Sequence, residues 1–339
     1  MARYGIAISA RLDELGDLAR ACEDAGFESL WVPETARTAY VQAAVVGMAT
    51  QRARIGTSIA LAFPRSPVIT AMEARDLAEL TGGRFILGLG TQVKRVNEFR
   101  YSTPFEHPMP KLREAIEVCR EVWAAFAGEP IDHQGRFYTV TMPPFPGAGP
   151  AGPIPVHIAA VNEGMVRMAG EVCDGWLGHP FTSVDFLVEK QLPVLREGAE
   201  AAGRKLGDIE IVQSVITSIS DDREEAYRAA KLQIGFYGTT RTYRGVFEQH
   251  GWGDVVDPLR AAFRSGDLGA MEALITDEMA ETYSAAGTPD EVREKVKRYE
   301  PHVDTIMLNA PWALAEGARA HEVFRRLIDT FGPLAAGAS

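Results

Sequence analysis

Gly82-Gly83-Arg84-Phe85-Ile86-Leu87-Gly88-Leu89-Gly90-Thr91 reads as a short apolar strand that ends in glycines, where a phosphate can approach the backbone. The dinucleotide fingerprint G-x-G-x-x-G fails here, because Val93 stands where the third glycine belongs. A Rossmann reading is therefore disfavoured. The flanks carry more weight: a helical pattern over 70–80 runs straight into this strand, and another strand pattern, 55–61, precedes it by one helix. That is a β-α-β rhythm.

Working outward, the alternation persists along the chain. Strand patterns at 4–9, 29–33, 55–61, 84–89, 156–160, 175–177, 209–219 and 303–308 are separated by helical ones at 12–25, 41–50, 70–80, 110–126, 164–172, 184–202, from Arg223, and 290–299, with a last helix over 315–331. In the first helix Leu12, Leu15, Leu18, Ala19 and Cys22 recur at three and four, acids fall between them, and Gly26 supplies the stop. Eight parallel units predict an α/β fold of the closed (β/α)8 TIM-barrel type. Such a core takes about 250 residues, so the surplus is expected in insertions after strands four and seven, near 127–155 and 235–287. No linker or low-complexity tract divides the chain, and residues 1–339 read as a single domain.

The bulk properties narrow the function. With 339 residues, 46% hydrophobic and 24% charged, the chain has the composition of an ordinary globular protein. A net charge of -11 argues against nonspecific nucleic-acid binding, which draws its affinity from Lys and Arg on phosphates. Cys22, Cys119 and Cys173 lie far apart in apolar patterns, so neither a disulfide framework nor a metal site is expected. No stretch of about 18 apolar residues occurs and the first residues leave no room for a signal peptide, so a cytoplasmic protein without a membrane partner is expected.

Barrel chemistry sits at the carboxyl ends of the strands, which makes those ends the candidate site. After the second strand comes Glu34, a carboxylate at the mouth or one that caps a helix or pairs with an arginine. After the third come Thr57, Ser58 and Ile59, then Arg65, a cation for the site or a surface charge. After the fourth come Gly90, Thr91, Gln92, Lys94 and Arg95, which also suit a solvated loop. After the fifth, Ala159-Ala160-Val161-Asn162-Glu163-Gly164 opens a helix whose first amides and dipole suit a phosphate, with Asn162 as a plain N-cap the modest alternative. His157 within that strand reads better as a satisfied interior histidine than as a catalyst, whereas His179 after the sixth strand is placed at the mouth. No H-E-x-x-H, G-x-S-x-G or P-loop appears, so the residues point to an aromatic phosphate ligand rather than to hydrolysis.

The blocks Gly26-Phe27-Glu28-Ser29-Leu30-Trp31-Val32-Pro33-Glu34, Arg54-Ile55-Gly56-Thr57-Ser58, Gly83-Arg84-Phe85-Ile86-Leu87-Gly88-Leu89-Gly90 and Ala159-Ala160 with Ala169-Gly170-Glu171-Val172-Cys173-Asp174-Gly175-Trp176 resemble, in order and spacing, the luciferase-like monooxygenase superfamily. The flavour resembles its actinobacterial branch that uses the deazaflavin coenzyme F420. The resemblance implies a (β/α)8 barrel of the bacterial-luciferase type, F420 or FMN at the strand ends, and a non-prolyl cis peptide near Ser58-Ile59 beside the cofactor ring. It places the cofactor against Ser58, Ile59, Gly90, Thr91, Gln92, Lys94 and the run Ala159, Ala160, Val161, Asn162, Glu163 and Gly164, with Lys94, Arg95 and Arg65 meeting the charged tail of F420. Many members carry a histidine just after the second strand's acidic residue, and here Thr35-Ala36 follows Glu34. Glu34 or His179 is then the expected catalytic proton partner, unless the substrate's proton comes from solvent and hydride transfer needs none; Tyr101, Phe105, Trp252 and Trp312 are candidates for a substrate wall, with plain packing the alternative. The implied activity is hydride transfer between F420 and a small-molecule substrate. The alternatives are an FMN-dependent monooxygenase fed by a separate cofactor reductase, and a noncatalytic flavin-binding paralogue. The family habit implies a homodimer through the early barrel helices.

Overall fold

The computed structural model describes residues 2–145, 152–312 and 320–338. Its strands are β1 (Arg3–Ala7), β2 (Ser29–Val32), β3 (Arg54–Thr57), β4 (Ala60–Leu61), β5 (Phe85–Gly90), β6 (Ile131–Gln134), β7 (Thr139–Met142), β8 (Val156–Ala159), β9 (Gly175–Gly178), β10 (Glu210–Ile219), β11 (Ser284–Gly287) and β12 (Thr305–Asn309). The order β1-β2-β3-β5-β8-β9-β10-β12 returns to β1 through parallel pairs, and β10 lies between β9 and β12, so the sheet closes. This is a (β/α)8 TIM barrel.

Several boundaries differ from the sequence expectation. The run 55–61 is two strands: the register against β5 slips by one residue between Gly56 and Ala60, and the Ser58–Ile59 peptide between them is cis. A one-residue excess of this kind ends one ladder and re-aims the next. The helix expected over 184–202 is interrupted by a π-helical segment, Leu187–Gln191, just ahead of Pro193. The last helix runs Ala320–Ala338, past the expected end at Phe331; residues 315–319 of that expectation lie outside the described residues. Strand β11 was not expected at all, because Ser-Ala-Ala-Gly has no β-rich signature; it exists because β10 outruns the barrel and offers its far end as a partner.

The two stretches read as insertions have distinct supports. In the first, the antiparallel hairpin β6–β7 is pinned by the Glu114 carboxylate, which accepts the backbone N–H groups of Arg136, Phe137 and Tyr138 at 3.1, 2.8 and 2.6 Å. In the second, a helical cluster following Arg223–Gly238 encloses its own core of Tyr227, Ile234, Phe247, Leu259, Met271 and Tyr283. Phe181, just past β9, belongs to this core, which seats the cluster beside the barrel mouth.

The barrel interior is layered. Trp31, Ile86, Leu177, Val212 and Met307 form the middle layer. Room for the Trp31 indole comes from Gly56, where a Cβ would lie 2.2 Å from the ring, and its Nε1–H donates to Ser29 at 2.9 Å. Beneath lies a polar floor at the amino ends of the strands. Arg54 donates to Glu210 at 2.8 and 2.6 Å, and Arg3, Thr305 and Glu28 complete the network. His157 is 1% exposed, with Nε2 3.5 Å from Glu210; burial pushes its imidazole down to about 4 despite that carboxylate, so it is neutral near pH 7.

Burial alone would raise the Glu210 carboxyl, but Arg54 outweighs it and holds the group at about 2. A depressed carboxyl contributes stability that is present above its ordinary value of about 4 and lost as pH falls through its folded one. Replacing one partner of a buried pair costs about 3 kcal/mol. Glu210→Gln should therefore be destabilised by about that amount near pH 7, and the gap to wild type should close between about pH 4 and about 2. Urea denaturation at stepped pH measures both.

Candidate functional site

The carboxyl ends of β2, β3 with β4, β5, β8 and β9 are neighbours in the barrel, so Glu34, Ser58, Ile59, Gly90, Ala159, Ala160 and His179 share one arc of the mouth. Loop residues spaced far apart in sequence converge because the strands they follow are adjacent.

Glu34 is 8% exposed and both of its carboxylate oxygens are engaged. Oε2 accepts the Leu61 N–H and an Arg65 N–H at 2.8 and 2.9 Å, and Oε1 accepts the other Arg65 branch at 2.5 Å. The Glu34 N–H in turn donates to the Ile59 carbonyl at 3.2 Å. A bidentate, partly buried carboxylate of this kind is a fixed anchor for the Ser58–Arg65 segment. Arg65 also lies 3.5 Å from Glu73 and 5.0 Å above the Tyr40 ring, so its charge is answered within the barrel wall rather than offered to a ligand's tail.

The glycines that opened the sequence reading acquire a packing role. A Cβ on Gly88 would sit 1.8 Å from the Thr57 carbonyl oxygen, and one on Gly90 would sit 2.0 Å from Ile59 Cδ1. The Thr57 hydroxyl donates to the Gly88 carbonyl at 2.7 Å and accepts its N–H at 2.9 Å, riveting β3 to β5. Ile59 thus lies over Gly90, adjoining the middle layer together with Ala159. Beyond β5, Gln92 has φ 56°, and Asn97, fully buried, donates to the carbonyls of Thr91 and Val93 at 2.8 and 3.2 Å. Lys94 is exposed and 3.6 Å from Glu98, and Arg95 is exposed as well; both belong to a helix, Lys94–Arg100, that was expected to be loop.

At the end of β8, Trp176 Nε1 donates to the Ala160 carbonyl at 3.0 Å and fixes the turn into helix Glu163–Val172. Asn162 stands at its N-cap but its side chain makes no capping bond, while its carbonyl accepts from Met165 and Val166. The amides of Glu163 and Gly164 therefore have no side-chain cap, the arrangement that suits an anion. Val161 packs instead against the helical cluster.

His179 is half-buried and clasped by Tyr237 and Tyr243, with ring centroids at 4.7 and 4.4 Å. Its Nδ1 accepts the Phe181 N–H at 3.1 Å, which leaves the proton on Nε2. Burial outweighs that bond and pushes the imidazole down to about 3, so near pH 7 the ring is a hydrogen-bond donor and a poor base. The buried Gln213 donates to the His179 carbonyl at 3.0 Å, and a Cβ on Gly178 would strike its Oε1 at 2.0 Å.

Of the expected wall residues, Trp312 is 39% exposed, its ring is 6.1 Å from that of Phe236, and its backbone N–H donates to Gln233 Oε1 at 2.8 Å. Phe105 packs edge-on against Phe63, and Tyr101 lies against Arg100. Trp252 is stacked on His250 inside the helical cluster, a packing role. Trp31, Gln213, Tyr237 and Tyr243 were missed as site residues; isolated Gly5 and Gly56 within strand patterns were the available signal for a bulky neighbour such as Trp31. Among the described residues no group of three or more His, Cys, Asp or Glu is placed to hold a metal ion, and no helix is long and apolar enough to cross a membrane.

The closed parallel barrel, with its loops gathered at the carboxyl ends of the strands, defines the class as a (β/α)8 barrel protein. Residues 2–305 match the luciferase-like monooxygenase family, and the chain belongs to that family. An uncharacterised protein of Mycobacterium tuberculosis is 37% identical over 308 residues, covering 88% of this chain and 91% of that protein. A second protein of that organism, provisionally named a coenzyme F420-dependent oxidoreductase, is 32% identical over 86% of this chain and 89% of its own length. Among solved structures, the coenzyme F420-dependent tetrahydromethanopterin reductase of Methanopyrus kandleri superposes with a TM-score of 0.83 at 24% identity, covering 98% of this chain and 97% of that one. The oxygenating constituent of 3,6-diketocamphane monooxygenase from Pseudomonas putida, solved with FMN, gives 0.69 at 18% identity, covering 98% of this chain and 99% of that one.

The two glycines separate by what a methyl group would meet. Gly88→Ala drives against backbone and should cost about 3 kcal/mol, whereas Gly90→Ala meets the tip of one side chain and should cost about 1 kcal/mol. Urea denaturation of the two variants measures the difference; equal losses would contradict this packing.

Proposed function

We propose that the protein is an oxidoreductase that binds the deazaflavin coenzyme F420 at the carboxyl mouth of the barrel and transfers a hydride between it and an organic substrate. The observation that carries the reading is the pairing of an apolar ledge with an uncapped helix start: Ile59, Ala159 and the Trp31 layer on one side, the Glu163 and Gly164 amides on the other. The ledge suits a planar ring and the amides suit a phosphate, so the residues present fit the group. The relative provisionally named F420-dependent supports F420 over FMN.

When bound, the deazaflavin supplies the hydride-carrying carbon. The chain's own residues orient and exclude. Glu34, through Arg65 and the Leu61 amide, holds the segment that carries Ile59 in place. His179 presents an Nε2–H beside the mouth without competing as a base, and its clasp by Tyr237 and Tyr243 fixes the ring plane. Lys94 and Arg95, exposed on the helix after β5, are the cations left to attract the phosphodiester and glutamate tail, since Arg65 is engaged elsewhere. Phe236 and Trp312 border the entrance as an apolar wall for the substrate.

Paired fluorescence titrations with oxidised F420 and FMN test this reading. F420 should bind at least about tenfold more tightly, and the preference should shrink as salt screens the tail. The reverse preference would indicate the FMN-dependent monooxygenase alternative, and binding of neither would refute the site.

We also propose a homodimer through the early helices. Helix Ala39–Ala49 is apolar around most of its circumference, and Val41 and Met48 remain 50% and 73% exposed beside Ile69 and Met72 of the next helix. A helix apolar all round belongs in an interior. Light scattering at micromolar concentration should give twice the chain mass, and Met48→Glu should shift the protein toward monomer; a wild-type monomer would overturn the proposal.

A further inference from the structure

The mouth has a polar arc as well as an apolar one. Side chains alternate across a strand, and the interior layers show which set points inward. On β10 and β12 the floor takes Glu210 and Thr305 and the middle layer takes Val212 and Met307, so the next inward residues, one layer nearer the mouth, are Ser214 and Asn309. The Asn309 Nδ2–H donates to Ser214 Oγ at 3.2 Å across that face. Its Oδ1 has no hydrogen-bond partner among the described residues, yet it keeps contact with solvent. An inward oxygen above the packed middle layer reaches solvent only through the mouth. On β9 the same alternation carries Leu177 of the middle layer to His179, and Ser214 stands beside His179, next in register after the Gln213–Gly178 pair. Above the floor no inward residue of these three strands is charged, the His179 imidazole being neutral. Across the lumen, Ile59 covers Gly90 at the end of β5, which lies opposite β12 in the ring of strands.

From His179 a run of ring contacts leads outward. Its centroid is 4.7 Å from that of Tyr237, Tyr237 is 5.8 Å from Phe236, and Phe236 is 6.1 and 5.8 Å from Trp312 and Phe263. Phe236, Trp312 and Phe263 are all exposed. Trp312 follows closely on Asn309, and Gln233 accepts its backbone N–H, so helix Arg223–Gly238 and the end of β12 present one surface. Single exposed apolar residues are ordinary, whereas a contiguous aromatic run that starts inside a barrel mouth marks a ligand's path.

We propose, resting on the cofactor reading above, that the β9–β10–β12 arc and this aromatic run are the substrate's half of the mouth, and that the substrate is an uncharged molecule with an aromatic body and a hydrogen-bond donor at its inner end. The donor is accepted by Asn309 Oδ1, and the body lies along Phe236 and Trp312. The cofactor ring then occupies the facing Ile59 arc. A carboxylate or ammonium head would lose its water against Asn309, Ser214 and a neutral imidazole with no opposite charge to meet it, a cost that a neutral head avoids.

Isothermal titration of the full chain with 4-phenylbutan-2-ol, with and without saturating F420, tests the proposal. The alcohol should bind one per chain, and 4-phenylbutanoate, with a charged head, and butan-2-ol, without the ring, should each bind at least about tenfold more weakly. F420 should leave the alcohol bound, because the two arcs fill together. Asn309→Leu should weaken the alcohol about tenfold and leave the ketone 4-phenylbutan-2-one, which has no donor, at its wild-type affinity, a split that a merely structural loss would not produce. Phe236→Ala, at an exposed position, should weaken alcohol and ketone alike, by about fivefold. F420 binding without alcohol binding, a preference for the carboxylate, wild-type alcohol affinity in both variants, or displacement of the alcohol by F420 would each overturn the substrate assignment alone. Alcohol binding as expected with no binding of F420 would support this half of the mouth and refute the cofactor reading.

Discussion

The ion pair between Arg54 and Glu210 crosses the lower barrel from the first residue of β3 to the first residue of β10. Its desolvation is offset by bidentate geometry and by the hydrogen bonds from Arg3 and Thr305, so its contribution is more to registry than to net stability. Any stagger that separated the two strand starts would leave an unpaired charge in the interior. With the floor held in this way, the stave lengths above it decide where each strand ends, and so where each mouth residue stands.

Above the floor, small residues repeatedly make room for one bulky or polar neighbour. Gly56 yields to Trp31, Gly175 to His157, Gly178 to Gln213, Gly88 to the Thr57 carbonyl and Gly90 to Ile59. The result is a closely packed lumen with the apolar Ile59 and Ala159 packed against its middle layer. Polar groups on that arc are immobilised rather than free. Glu34 is tied to Arg65 and a backbone amide, and His179 is kept neutral by burial between two tyrosines. Such a mouth suits the proposed reading, in which the ligand brings its own chemistry and the protein orients it.

Much of the fold was legible because the barrel repeats a local rule. Alternating periodicities of two and 3.6, with glycine stops such as Gly26, mark eight strands and their covering helices from neighbours in sequence alone. What escaped has a shared cause. Strand β11 is formed by a tertiary partner rather than by β propensity, the break at Ser58–Ile59 lies inside an unbroken apolar run, and the helix Lys94–Arg100 has polar composition with no apolar stripe. The site divided in the same way. The strand-end rule pointed to Glu34, Gly90, Asn162 and His179, but it could not distinguish an exposed carboxylate from one already bound to Arg65, or an anion cradle at Gly90 from a seat for Ile59.

The sequence by itself determined the barrel, its family and the set of loops that meet at the mouth, because periodicity and motif spacing are local properties that survive without coordinates. Only the tertiary structure decided what each group at the mouth does. Protonation and availability depend on burial and on partners that are remote in the chain: Arg65 for Glu34, Tyr237 and Tyr243 for His179, Glu210 for His157. Those distances are set when the sheet closes, and no local pattern encodes them.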